Sequence, residues 1–275
     1  ENKSINSIDY KSLPLQTIES KEKFRIKISS KDNCKRYAAC IMKEVEVKDS
    51  PIWLKESLES IGQKSINNIV DATNYILMDL GHPMHTFDLN KIKSGSIDVR
   101  TAKKGEKIIT LDGLEQNLTN NNLLICDGPD PIAIAGIIGG NNSGVDEKTT
   151  SILIESAYFN PVNIRKSSKQ LGLSTEASKR FERDTDIDIL IPALNKLCVM
   201  IQELAGGQIA SEVFDVYPRK STLKKISFNI EKCNQFLGSD ITIESIKDIF
   251  ESLYISYNEK SDHLECTIPS FRNDL

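Results

Sequence analysis

Apolar and polar positions change period several times along this chain, and each change marks an element. Phe24-Arg25-Ile26-Lys27-Ile28 alternates with period two, as does part of the run from Ala38 to Val47, so both predict strands. Ser50-Pro51 opens a helix with proline in its first turn. Trp53, Leu54, Leu58 and Ile61 share one of its faces, and it ends near Gly62. Ser65 is placed to cap the next helix, in which Ile66, Ile69, Val70, Tyr75, Ile76, Leu77 and Leu80 read as core. Gly81 closes it. From Ile97 the period returns to two, which predicts strands over 97–101, 107–111, 123–126, 132–138 and 151–157, with Asp112-Gly113 as a hairpin turn. Helical spacing resumes at Val162 to Leu171, at Glu176 to Arg183 and at Ile187 to Leu204, where Ala205-Gly206-Gly207 stops it.

Pro218-Arg219-Lys220-Ser221 reads as a boundary. Beyond it, a strand, two helices (Glu231 to Leu237, Ile243 to Leu253) and two further strands predict a small α+β domain of about 50 residues. Residues 1–23 are polar and weakly patterned, so 1–34 reads as an arm or the remnant of a preceding domain. The ends are abrupt, as in an excised fragment.

A chain of 275 residues suggests about two domains. A charged fraction of 27% beside 39% apolar residues is that of an ordinary globular protein. The net charge of -4 excludes a global pull toward nucleic acid, so any such contact must be a local patch. No run approaches the ~20 apolar residues of a membrane span, and no signal pattern opens the chain. The six cysteines form no Cys-x-x-Cys and sit singly in apolar runs, which fits reduced, buried thiols in a cytosolic protein.

Several stretches could carry chemistry. Gly81-His82-Pro83-Met84-His85-Thr86-Phe87-Asp88 holds two of the three histidines in what reads as a stiff loop at a helix end. His82 and His85 at i, i+3 leave a metal hydrolase open, although no His-Glu-x-x-His or cysteine pair completes a zinc shell. Gly139-Gly140-Asn141-Asn142-Ser143-Gly144 has the wrong element order for a phosphate cradle, but allows a flat ligand close to the backbone. Glu155, among apolar neighbours, needs a hydrogen-bond donor if it is buried. Ser174 to Arg183, with Arg165, Lys166 and Lys169, makes a basic segment suited to a phosphate backbone.

These pieces occur in one order: Val70-Asp71-Ala72-Thr73-Asn74-Tyr75, Gly81 to Asp88, Ala135-Gly136-Ile137-Ile138-Gly139-Gly140, Leu153 to Phe159, then Ser174 to Arg183. In that order they resemble the family of bacterial phenylalanine–tRNA ligase (phenylalanyl-tRNA synthetase) β subunits, over nearly the whole chain. The resemblance implies an α+β fold. Residues 35–218 would form a mixed or antiparallel-sheet editing module of B3/B4 type with flanking helices. Residues 222–275 would form a small, helix-containing, winged-helix-like domain of B5 type. It implies hydrolysis of tyrosine wrongly esterified to phenylalanine tRNA, with His85, Thr73 and Asn74 orienting water or the terminal ribose. Glu155, Gly139, Thr175 and Ala177 would bind the substrate, with Glu155 accepting the phenol.

Lys64, Arg165, Lys179 and Arg180 are the expected tRNA contacts. Lys64 replaces the arginine of many relatives and cannot make its planar bidentate contact. Asp274 matches a magnesium ligand that would act only in the full-length subunit. The implied partners are phenylalanine tRNA and the α subunit of an α2β2 heterotetramer in the cytoplasm. ATP and Mg2+ would serve the full enzyme, and the editing reaction would need no cofactor. The alternative is a non-catalytic scaffold and tRNA-contact module of the same subunit. His82 is expected to be a turn residue without a role.

Overall fold

A computed structural model describes residues 24–275. The expectation for residues 1–23 lies outside the described residues. Contact density divides the chain after Pro218. The first unit runs β1 (Arg25–Ile28), β2 (Cys34–Val45), α1 (Ile52–Ser60), α2 (Asn68–Leu80), β3 (Met84–Asp88), β4 (Ser96–Thr101), β5 (Lys107–Ile109), β6 (Glu115–Asn117), β7 (Leu123–Asp127), β8 (Asp130–Ile134), β9 (Ile138–Gly139) and β10 (Ser151–Phe159). It continues with α3 (Pro161–Leu171), α4 (Glu176–Phe181), α5 (Leu190–Ala205), β11 (Gly206–Ile209) and β12 (Phe214–Val216). The second unit holds β13 (Lys225–Phe228), α6 (Ile230–Leu237), α7 (Ile243–Ser252), β14 (Ser256–Glu259) and β15 (Leu264–Thr267). The fold class is α+β, as expected.

Two sheets organise the first unit. One has the order β11-β2-β10-β3, with β12 also on β2, and is antiparallel throughout. The other has the order β1-β4-β7-β8-β9 and is mixed, because β1 pairs parallel to β4. Residues 24–34 therefore belong to this unit and are no remnant of a preceding domain. The alternation along β2 and β10 explains the layering. Ala38, Cys40, Met42, Ile152 and Ile154 face α1, α2 and α5 in one buried cluster. Tyr37, Ala39, Ile41, Leu153 and Ala157 face the second sheet in another. Hence β10 is buried on both sides from Ile152 to Phe159.

Local chemistry fixes how α2 enters and leaves this stack. Its cap is Asn67, whose side chain accepts from the Ile69 and Val70 amides. The expected cap, Ser65, instead donates to Asp71, which also takes the Ser50 hydroxyl and the Ile66 amide. Ile66, read as core, is exposed in consequence, and Trp53 and Ile61 are also half-open to solvent. Asn68, wholly buried, donates to the carbonyls of Glu46 and Leu204 and accepts from the Lys48 amide. Gly81 ends the helix at φ 69°. Only the first part of the octapeptide, Gly81 to Pro83, is the expected loop; Met84 to Asp88 pairs with β10 as an outer strand. The expected strand over 132–138 is broken by Gly136, at φ 68°, into β8 and β9. In the second unit, the sheet β13-β15-β14 packs Leu264 and Cys266 with Ile246 and Ile255 from the α7 segment.

Asn68→Ala strands two carbonyls and an amide in the core and should destabilise the first unit by about 2–4 kcal/mol. Asn67→Ala removes only a cap, worth ~1 kcal/mol. Urea melts followed by circular dichroism give both values. Equal losses would show that Asn68 has no tying role.

Candidate functional site

Strands β2, β10 and β3 bring three polar side chains to one sheet face. Glu155 stands opposite Ala39 on one side and His85 on the other, so Glu155 and His85 are direct cross-strand neighbours. Tyr37 lies two positions along β2 from Ala39 and therefore shares the face. Over Glu155 and His85 lies a cavity of about 70 Å³, closed by Ile134, Ile137 and Gly139 of the second sheet and by Ala177 and Phe181 of α4. That is several times the ~10–15 Å³ one water needs. Its walls are mainly apolar, with few polar groups, as small-molecule sites usually are.

Burial sets the electrostatics. Glu155 is 5% exposed, and desolvation pushes its pKa up to about 7, although a hydrogen bond from Tyr37 pulls the other way. Tyr37 Oη donates to Glu155 Oε2 at 2.7 Å. Burial and the adjacent carboxylate hold the phenol well above its ordinary pKa, so it remains a donor. Among the described residues Oε1 has no hydrogen-bond partner, which leaves it as the acceptor toward the cavity. Desolvation lowers His85 to about 4, so its imidazole is neutral at pH 7. Its Nε2 is sealed from solvent and has no hydrogen-bond partner. A Cβ at Gly139 would lie 2.9 Å from His85 Cε1, so the glycine is what lets the ring lie against the β9 backbone. Gly136 is needed likewise: a Cβ there would meet Phe159 and Ile164 at 2.9 Å.

His85, Gly139, Glu155 and Ala177 thus come together, whereas other expected site residues stand apart. Thr175 does not line the cavity. It caps α4 and donates its hydroxyl to the carbonyl of Ile137, a wall residue. Thr73 and Asn74 do not line it either, and the Thr73 hydroxyl donates to Val70 within its own helix. They were expected beside His85, but β3 separates from α2 at Gly81 and turns His85 to the other sheet face. Lys179 and Arg180 stand on α4 beside the cavity wall, both paired with Glu176. Arg165 is exposed on α3, and Lys64 is exposed between α1 and α2.

His82 is a correction. It is 1% exposed, not a surface turn residue, and its Nε2 contacts Ser156 Oγ at 3.0 Å. Ser156 gives its own proton to the Leu190 carbonyl, so His82 must donate through Nε2. Burial lowers its pKa to about 3. A serine whose proton is so held is no activated nucleophile. With His82 bound to Ser156 and His85 facing Glu155, the two histidines do not converge as metal ligands. Among the described residues no group of three His, Cys, Asp or Glu could hold a metal. Asp274, expected to ligate magnesium only in the full-length subunit, is exposed and bonded through both oxygens to Arg272. Tyr37 is the residue that the periodicity gave no means to find. Only the register between β2 and β10 exposes its relation to Glu155.

A family model described as the B3/4 domain matches residues 33–206, and one described as the tRNA synthetase B5 domain matches 226–275. The chain is similar to the phenylalanine–tRNA ligase beta subunit of Geobacter metallireducens, 44% identical over 92% of this chain and 32% of that one. It is also similar to the subunit of the same name from Carboxydothermus hydrogenoformans, 46% identical over 91% of this chain and 31% of the relative. The Thermotoga maritima subunit is 43% identical, over 92% and 32%. The chain therefore spans about a third of the length of the relatives it matches. Among solved structures, an N-terminal fragment of the phenylalanyl-tRNA synthetase beta-subunit from Pyrococcus horikoshii aligns with a TM-score of 0.48 and 16% identity. That alignment covers 96% of this chain and 73% of the fragment.

The raised pKa of Glu155 is a statement about stability. Its contribution is fully present below the unfolded value, 4.5, and is lost as pH rises through about 7. His82 and His85 act oppositely, with stability present above 6.5 and lost as pH falls through about 3 and about 4. Glu155→Gln should therefore gain ~3 kcal/mol relative to the parent between pH 4.5 and 8. The histidine contributions cancel in that difference. Parallel difference-free curves from denaturant titrations would show that Glu155 ionises normally.

Proposed function

The chain belongs to the B3/4 domain family, and from that premise we propose that its cavity hydrolyses tyrosine esterified to phenylalanine tRNA. The single observation that carries the reading is a buried carboxylate with one oxygen unpaired among the described residues, lining a mainly apolar cavity of about 70 Å³. Tyrosine and phenylalanine differ by one hydroxyl. A phenol entering the cavity gives Glu155 Oε1 a donor. A phenylalanyl ring leaves Oε1 desolvated and unpaired, with Oε2 still held by Tyr37. Sites built around a substrate hydroxyl reject the analogue lacking it by up to ~10⁴–10⁵-fold.

The ester is already activated, so orientation of a water is the main requirement. His85, neutral at pH 7 and with Nε2 unpartnered, suits hydrogen bonding to that water or to the substrate. A base with a pKa of about 4 removes protons poorly at neutral pH, so His85 positions and does not deprotonate. Gly139 and Ala177 keep the walls thin beside the ring. Lys179, Arg180 and Arg165 are the candidates to hold the tRNA backbone beside the pocket, with Lys64 contributing a weaker contact. Thr73 and Asn74, if they act, act through the packing of α2 on β3.

The whole protein is then a phenylalanine–tRNA ligase β subunit that works with an α subunit, ATP and Mg2+ in the cytoplasm. Among the described residues no group of three His, Cys, Asp or Glu could hold a metal, and the editing reaction as proposed is built from the chain's own side chains and water. No helix among the described residues is long and apolar enough to cross a membrane.

In the complete ligase, Glu155→Ala should slow deacylation of tyrosyl-tRNA by ~10²-fold or more, leaving the rate of charging with phenylalanine unchanged. Deacylation at the parental rate would reject the carboxylate–phenol reading and leave a scaffold and tRNA-contact role.

A further inference from the structure

Glu155 can discriminate only if its carboxylate is held in one orientation. A free carboxyl group rotates, exchanges its oxygens and, when dry, takes up a proton. The structure supplies one group against all three, and it stands outside the cavity. Tyr37 is completely buried in the middle of the sheet–sheet core, does not line the pocket, and reaches Glu155 Oε2 from the adjoining strand at 2.7 Å. Its ring is fixed by β2, which pairs with β10 over nine residue positions from Ser151 to Phe159. We propose that Tyr37 is a positioning residue for substrate selectivity: by occupying Oε2 it leaves Glu155 Oε1 as the single acceptor a phenolic substrate can reach.

The surroundings leave no other group for this task. From β2, Cys34 is the second titratable side chain near Glu155, and burial holds its thiol well above the ordinary range, so it stays neutral. From β3 comes His85, neutral at pH 7. The facing walls, Ile134, Ile137, Ala177 and Phe181, carry no titratable or charged group. The Tyr37 hydroxyl is accordingly the only side-chain donor bonded to Glu155 among the described residues. It favours the ionised carboxylate against desolvation. An ionised, half-satisfied carboxylate discriminates strongly between phenol and benzene rings. A protonated one loses less when left unpaired.

This inference rests on the editing reading, and the test separates the two. In the complete ligase, Tyr37→Phe keeps the ring and removes one oxygen. Deacylation of tyrosyl-tRNA at pH 7 should fall ~10-fold, and the preference over phenylalanyl-tRNA should narrow. The pH midpoint of kcat/KM, which reports the free enzyme, should rise by about one unit, so that activity recovers partly toward pH 8.5. In a Glu155→Gln background the same change should have no further effect. Placing 3-fluorotyrosine at position 37, a stronger donor of nearly the same shape, should move the midpoint the other way. A structural role would lower the melting temperature in both backgrounds and move neither midpoint, and that outcome overturns the proposal. If Glu155→Ala itself leaves tyrosyl-tRNA deacylation intact, the editing reading fails instead. If Glu155→Ala abolishes it and neither Tyr37 variant shifts the profile, the reading stands and this inference alone falls.

Discussion

The structure depends on a carboxylate kept in a dry place. Glu155 sits in a strand that, like its neighbour β2, is covered on both faces, by helices on one side and a second sheet on the other. A charge there is tolerated only through a specific donor, and the donor is a phenol on the neighbouring strand. Once β2 and β10 are in register, the pair forms, and the remaining parts of the site are arranged around it. Glycines let the second sheet approach, β3 brings His85 alongside, and α4 closes the mouth.

Close approach is the second constraint. Gly139 and Gly136 are used where a methyl group would collide with His85 or with the Phe159–Ile164 packing. They determine whether the layers can lie near enough to seal the cavity. Burial depresses both histidines and raises the carboxylate to about 7, so one physical cause leaves two imidazoles neutral and Glu155 about half ionised at pH 7. The cavity is lined by apolar side chains with His85 and Glu155 as its ionisable groups, and the proposed reading of one substrate hydroxyl rests on that arrangement. The cationic side chains of α4 stay outside it, paired with Glu176.

Much of this was legible in the residues. Periodicity located the central strand, the helices and the boundary near residue 218, because each depends on which face is buried. Glu155 stood out because an acid in an apolar run demands a partner. The partner itself was not legible, since Tyr37 lies 118 residues away and only register relates them. His82 was misread because a Gly-x-Pro neighbourhood signals a turn, and the turn is indeed there. The turn then folds inward, where Ser156 receives the ring. Strand β3 was hidden for a similar reason: Met84 to Asp88 has too few alternating residues to declare itself before β10 is there to pair with.

The two histidines show why residue type is a poor guide to role in such a site. Both are buried and both are held neutral, yet only one borders the cavity. His82 is held by a serine that has already given its proton to a backbone carbonyl, which fixes a tautomer and ties β10 to the start of α5. His85 faces the carboxylate and leaves one nitrogen without a partner. Desolvation makes each a weak base, His82 at about 3 and His85 at about 4, so both imidazoles are neutral at pH 7. On the editing reading proposed above, selectivity and rate fall to different groups: the carboxylate chooses the ring, and the rate comes from holding an activated ester next to an oriented water.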